Sequence, residues 1–132
     1  MLSKAKIKLI NQLAQKKYRN QTGLFIAEGH KTVGDMMEYF TPEYLYYTSD
    51  DNGKKSANES CEVTYDELKK ISRLETPQNV LAVFKMPVYD NVAINSDELT
   101  LALDGIQDAG NMGTIIRIAD WFGINNIFAL CC

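Results

Sequence analysis

The chain has 132 residues, 45% of them hydrophobic and 23% charged, with a formal net charge of −3. That balance excludes a disordered or fibrous chain and is enough for a globular core. No run approaches the ~20 apolar residues of a membrane span, and the opening MLSKAKIKLI lacks the uninterrupted apolar stretch of a signal peptide. Cys61, Cys131 and Cys132 have neither zinc spacing nor an even count for disulfides, so reduced thiols in a cytoplasmic setting are expected. Charge is distributed unevenly. Residues 1–31 carry Lys4, Lys6, Lys8, Lys16, Lys17, Arg19 and Lys31 against the single acid Glu28, a net of +6, which leaves −9 for residues 32–132. A basic end on an acidic body is the electrostatic footprint of a phosphate-contacting protein, with a solvated lysine face as the bland alternative.

In chain order, Ser3 is a fair N-cap for a helix whose Ile7, Ile10, Leu13 and Ala14 share one stripe, leaving Lys4, Lys8 and Lys16 off it. Lys17–Gly23 reads as a polar loop, Leu24–Ala27 as a short buried strand broken by Glu28-Gly29, and His30–Tyr39 as a helix turning Val33, Met36 and Met37 inward. Tyr44–Thr48 is an aromatic strand, Ser49–Ser60 an exposed loop, and Cys61–Thr64 another strand. Thr64 and Glu67 make a capping box for a helix to about Ser72. Thr76-Pro77-Gln78 is a turn before the apolar strand Val80–Phe84. Strands alternating with helices predict an α/β layered domain over residues 1–86, followed by a polar linker over 87–98. Residues 99–132 read as β-α-β with a parallel strand pair, the second strand being Asn126–Leu130.

The stretch Leu101–Gly123, LALDGIQDAGNMGTIIRIADWFG, holds the densest chemistry. A strand ends at Asp104, a loop carries Asp108, Gly110, Asn111 and Gly113, and a helix aligns Ile115, Ile118, Ala119 and Phe122 on one stripe with Arg117 opposite, until Gly123 stops it. This stretch resembles the first motif of the SpoU-type RNA ribose 2′-O-methyltransferases of the SPOUT superfamily. Leu103, Asp104, Ile106, Asp108, Asn111, Gly113, Ile115, Arg117, Ala119 and Gly123 stand in place. Ala109 departs from the family's proline, and Ile118 from a small polar residue. Two further stretches resemble the same family: Lys17, Tyr18, Arg19, Gly23, Phe25, Glu28 and Gly29 after the basic helix, and Thr76, Pro77, Gln78, Val80, Ala82 and Val83.

The resemblance implies a small α/β/α sandwich that binds ribosomal or transfer RNA, followed by the beginning of a SPOUT domain, a parallel α/β unit with a knotted C-terminal part. It implies S-adenosylmethionine as methyl donor, a ribose 2′-hydroxyl as acceptor, no metal, no membrane, and a homodimer in the full-length protein. Arg117 is expected to orient and charge-stabilise the 2′-oxygen, since a guanidinium titrates too high to act as a free base. Asn111 is expected to assist, its alternative being a simple helix cap. Gly113 beside Arg117 leaves room for an RNA backbone. Lys4, Lys8, Lys16, Lys17 and Arg19 are expected on RNA phosphates. Asp104 and Asp108 read as loop and cap residues, His30 as structural, Phe25 as core and Glu28 as the organiser of its turn.

The family's second and third motifs, which form the cofactor pocket, do not occur in these residues. The expectation is therefore an N-terminal fragment without activity of its own, with apolar surface uncovered after about residue 98 and frayed order or self-association there. Two other readings stand beside the enzyme: an RNA-binding module without catalysis, and a nucleotide-binding α/β enzyme using Gly110–Gly113. The latter lacks the third glycine and downstream acid of a dinucleotide site.

Overall fold

The structure, a computed structural model, describes residues 1–49, 57–89 and 93–130. The chain divides into two compact units, Met1–Val88 and Tyr89–Cys132. Part of the expected loop at 49–60 and part of the expected linker at 87–98 lie outside the described residues.

The first unit runs α1 (Lys4–Gln12), α2 (Lys16–Thr22), β1 (Leu24–Glu28), α3 (His30–Met37), β2 (Tyr44–Tyr47), β3 (Glu59–Glu62), α4 (Tyr65–Lys69) and β4 (Val80–Lys85). Ser3 caps α1 by accepting the Lys6 N–H at 3.2 Å. Thr64 and Glu67 close the capping box at the start of α4. Of residues 17–23, predicted as a polar loop, 17–22 are instead helical. Nothing within KKYRNQT breaks a helix, Thr22 Oγ1 donates back to the Tyr18 carbonyl at 2.7 Å, and Gly23 ends the turn with φ 64°. Polarity signalled exposure there, not irregularity.

The sheet order is β1-β4-β2-β3, with β4 antiparallel to both β1 and β2, and β3 added parallel to β2. Strand alternation divides its side chains between two cores. Leu24 and Ile26, Tyr44 and Tyr46, Leu81 and Val83 turn toward one face, where Ile10 and Leu13 of the α1 region meet Leu68 and Ile71 of the α4 region. Phe25 and Ala27, Leu45 and Tyr47, Val80, Ala82 and Phe84 turn to the other, where α3 contributes Val33, Met36 and Met37. β4 is apolar on both faces because it lies between two helical layers. The α/β/α sandwich expected from the resemblance is the architecture observed.

The second unit holds β5 (Thr100–Asp104), α5 (Ala109–Trp121) and β6 (Asn126–Leu130). β5 and β6 are parallel, paired from Thr100↔Asn126 to Asp104↔Leu130. Gly105 leaves β5 at φ 69° and Gly123 follows α5 at φ 70°, positions where a Cβ would be strained. The expected helix stripe is narrower than predicted. Ala119 is buried and Met112 and Ile115 are half-buried, whereas Ile118 and Phe122 are 52% and 74% exposed. Trp121 and Leu130 are exposed as well, so the uncovered apolar surface expected after residue 98 is present on regular elements.

Candidate functional site

In the first unit the candidate phosphate contacts fall into two groups. Lys4 and Lys8 stand one turn apart on α1, and Lys16 and Lys17 open α2; all four are exposed. The Lys17 ammonium lies 6.0 Å from the centre of the Tyr18 ring. Arg19 has a different environment. Its Nη1 donates to the Leu13 carbonyl at 3.0 Å and the Ala14 carbonyl at 2.6 Å, satisfying oxygens left open where α1 ends. Lys6 pairs with Glu59 at 3.1 Å and sits 3.3 Å above the centre of the Tyr44 ring, which ties α1 to the β2–β3 edge.

Glu28 organises its turn. Ser72 Oγ donates to Oε2 at 2.5 Å and the Arg73 N–H to Oε1 at 2.9 Å, clamping the end of β1 to the segment after α4. Gly29, at φ 91°, lies against the Gln78 side chain, and its N–H reaches the Val80 carbonyl at 3.0 Å. A Cβ at Gly29 would collide with Gln78. The two motif stretches around residues 17–29 and 76–83 are thus one packed junction. Phe25 is core, its ring stacked on Phe84 with centroids 5.8 Å apart.

In the second unit, the predicted loop is shorter than the sequence suggested. Asp108, not Asn111, is the N-cap: its Oδ2 accepts the Asn111 N–H at 2.7 Å. α5 therefore begins at Ala109, and Gly110, Asn111 and Gly113, expected in a loop, lie in its first turns. Neither Gly110 nor Gly113 takes a positive φ, so nothing in the backbone forbids the helix. Thr114, which the sequence reading passed over, donates from Oγ1 to the Gly110 carbonyl at 3.0 Å and steadies that first turn. Arg117 is exposed one turn beyond Gly113 and makes no ion pair among the described residues. A Cβ on Gly113 would meet no atom within 4 Å, so the space beside it is open. Between residues 89 and 132 Arg117 is also the only lysine or arginine in the sequence, against six acids.

The described residues of this unit do not fit S-adenosylmethionine on their own. A groove beside α5 and β6 is lined by Met112, Ile116, Ile124, Ile127 and Phe128, with Asp120, Asn125 and Asn126 as its polar groups. It offers no cation for the methionine carboxylate. No group of three or more potential metal ligands occurs among the described residues, and no described helix is long and apolar enough to cross a membrane.

Comparison with known proteins places this geometry. Residues 4–82 match the model of the MRM3-like substrate binding domain. Among curated relatives, rRNA methyltransferase 3, mitochondrial, of Xenopus tropicalis is 26% identical, over 91% of this chain and 32% of that protein. The 23S rRNA (guanosine(2553)-2'-O)-methyltransferase RlmP of Bacillus subtilis is 29% identical, over 92% of this chain and 50% of that protein. Among solved structures, a TrmH-family protein from Porphyromonas gingivalis superposes with a TM-score of 0.82 and 38% identity, covering 98% of this chain and 52% of that one. An AdoMet-bound rRNA methyltransferase from Sinorhizobium meliloti gives 0.78 and 30%, covering 100% and 53%. The chain thus spans about a third to a half of the length of these relatives. Through residues 4–82, which form most of its first unit, the chain belongs to the MRM3-like substrate-binding domain family.

Proposed function

We propose that this chain carries the RNA-gripping unit and the first catalytic motif of a ribosomal RNA ribose 2′-O-methyltransferase with S-adenosylmethionine as methyl donor. The observation that carries the proposal is the coexistence of a substrate-binding domain of known family with a capped strand-to-helix motif presenting one arginine that makes no ion pair among the described residues. The electrostatics divide the labour. α1 and α2 carry six basic residues and no acid, the positive charge that attracts phosphates, while the second unit holds six acids against Arg117 alone. Affinity then comes from the first unit, and the single cation of the second acts on one point of the RNA. The Arg117 guanidinium is a cation with donors only, so its role is to hold the ribose 2′-oxygen or the adjacent phosphate as charge develops. Asn111, whose backbone N–H is held in the first turn by the Asp108 cap, supplies a side-chain hydrogen bond for orientation. Homodimerisation of the whole enzyme and a cytoplasmic location belong to the same proposal.

The test is mapping of ribose methylation in ribosomal RNA from cells lacking the protein. One 2′-O-methyl position is expected to disappear, to return with the wild-type protein, and to stay absent with Arg117→Ala. An unchanged methylation map would refute the enzymatic reading. The second reading, an RNA-binding module without catalysis, is favoured by the poor fit of the described residues to the cofactor. It would be supported by salt-dependent RNA binding alongside an unchanged map.

A further inference from the structure

The helical layer on one face of the first sheet collects positive charge from both ends of the unit's sequence. α1 and α4 cover a common core containing Ile10, Leu13, Leu68 and Ile71, and two hydrogen bonds fasten their ends together. The Leu2 N–H donates to Glu67 Oε1 at 2.9 Å, and Asn11 Nδ2 donates to the Lys70 carbonyl at 3.2 Å. Lys4 and Lys8 of α1 are exposed, as are Lys69 and Lys70 at the end of α4, with Asp66 as an exposed acid on α4. Glu67, whose carboxylate oxygens accept the N–H groups of Leu2 and Thr64, keeps its charge, so the four lysines face two acids and the layer stays net positive. Lys6 is withdrawn toward Glu59 and the Tyr44 ring. The layer on the opposite face is different: α3 and its C-cap expose Lys31 against Asp35 and Glu38.

We infer that Lys69 and Lys70 continue the phosphate-contacting surface of α1 onto α4, so that the α1–α4 layer is the face of this unit that tracks the RNA backbone. The inference rests on the RNA-substrate reading given above and adds a face and two residues to it. α1 and α4 cover the same core and are joined by the two hydrogen bonds above. Two lysine-bearing helices on one face engage a broader stretch of backbone than the single row Lys4–Lys8. The competing role for Lys69 and Lys70 is local, since both sit where α4 ends and its carbonyls carry partial negative charge. That role affects melting only. Phosphate contact affects the salt dependence of binding.

The experiment titrates a fluorescently labelled ribosomal hairpin RNA with the 132-residue chain across a salt series, comparing wild type, Lys69→Ala/Lys70→Ala and Lys31→Ala, with thermal melting of each. The α4 double variant is expected to lower the slope of log affinity against log salt by about 2 and to weaken binding by roughly tenfold or more near 0.1 M salt. Lys31→Ala is expected to change neither. An unchanged slope in the α4 variant, with or without a lower melting temperature, would overturn the inference and leave the RNA reading standing. An equal loss in Lys31→Ala would overturn it too, since the contact would then not be confined to one face. Absence of salt-dependent binding by the wild type would overturn the RNA reading itself, and this face with it.

Discussion

Gly113→Ala separates a glycine kept for ligand approach from one that merely fills a helix. Gly113 lies inside α5, four residues before Arg117, and its φ is not in the left-handed region. A Cβ there meets no atom within 4 Å, so the substitution is sterically free in this chain. Alanine is better than glycine in a helix interior by about 1 kcal/mol. With unfolding entropy near 2.1 cal/mol/K per residue, that gain raises the melting temperature by about 4 °C if the whole chain melts together, and by about 10 °C if Tyr89–Cys132 melts alone. The same methyl group enters the open space one helical turn before Arg117. The variant is therefore expected to melt higher and to fail to restore ribose methylation in cells lacking the protein. Differential scanning calorimetry gives the first readout and methylation mapping the second. Higher stability with full methylation would refute the argument that Gly113 keeps a path open for RNA. A lower melting temperature would refute the steric premise.

Four other outcomes follow from the same geometry. Ala109→Pro is expected to stabilise the second unit by about 0.4–1 kcal/mol in thermal melts, because Pro suits the first helical position and Asp108, at φ −80° and ψ 122°, already has the extended backbone required before proline. The hydrogen bonds from the Thr64 and Leu2 N–H groups hold the Glu67 carboxyl below the usual carboxylate range. Its stabilisation is thus present above the unfolded carboxylate pKa and is lost as pH falls through the lower folded value, and Glu67→Gln is expected to remove that part of the acid limb in pH-dependent melts. Arg19→Ala is expected to cost about 1–2 kcal/mol in urea unfolding, since two carbonyls lose a charged donor, while lowering the RNA salt slope less than Lys16→Ala/Lys17→Ala. Tyr46→Phe is expected to leave stability unchanged or raised in the same assay, because the Tyr46 hydroxyl is buried without a hydrogen-bond partner among the described residues and burial pushes its ionisation far upward.

Where the sequence was legible, one local signal outweighed its competitors. The Thr64–Glu67 capping box and the Ser3 cap each combine an oxygen acceptor with a following apolar repeat, and both helices start where those signals put them. The apolar run Val80–Phe84 showed a strand buried on both faces, because no helical stripe leaves five consecutive residues without a polar side. The misreadings come from polar residues whose partners are supplied by the fold. Lys17–Gly23 looked like a loop because Tyr18 is its only apolar residue, yet Lys16–Thr22 is a helix held by Arg19 reaching back to Leu13 and Ala14. Asn111 and Asp108 are both good caps, and only the geometry at the end of β5 selects Asp108 and draws Gly110 and Gly113 into α5. The pairing of Lys70 with Asn11 joins residues 59 apart in the chain, so no window of sequence contains it. A charge that reads as isolated along the chain can belong to a shared surface, and only tertiary packing decides which lysines stand together.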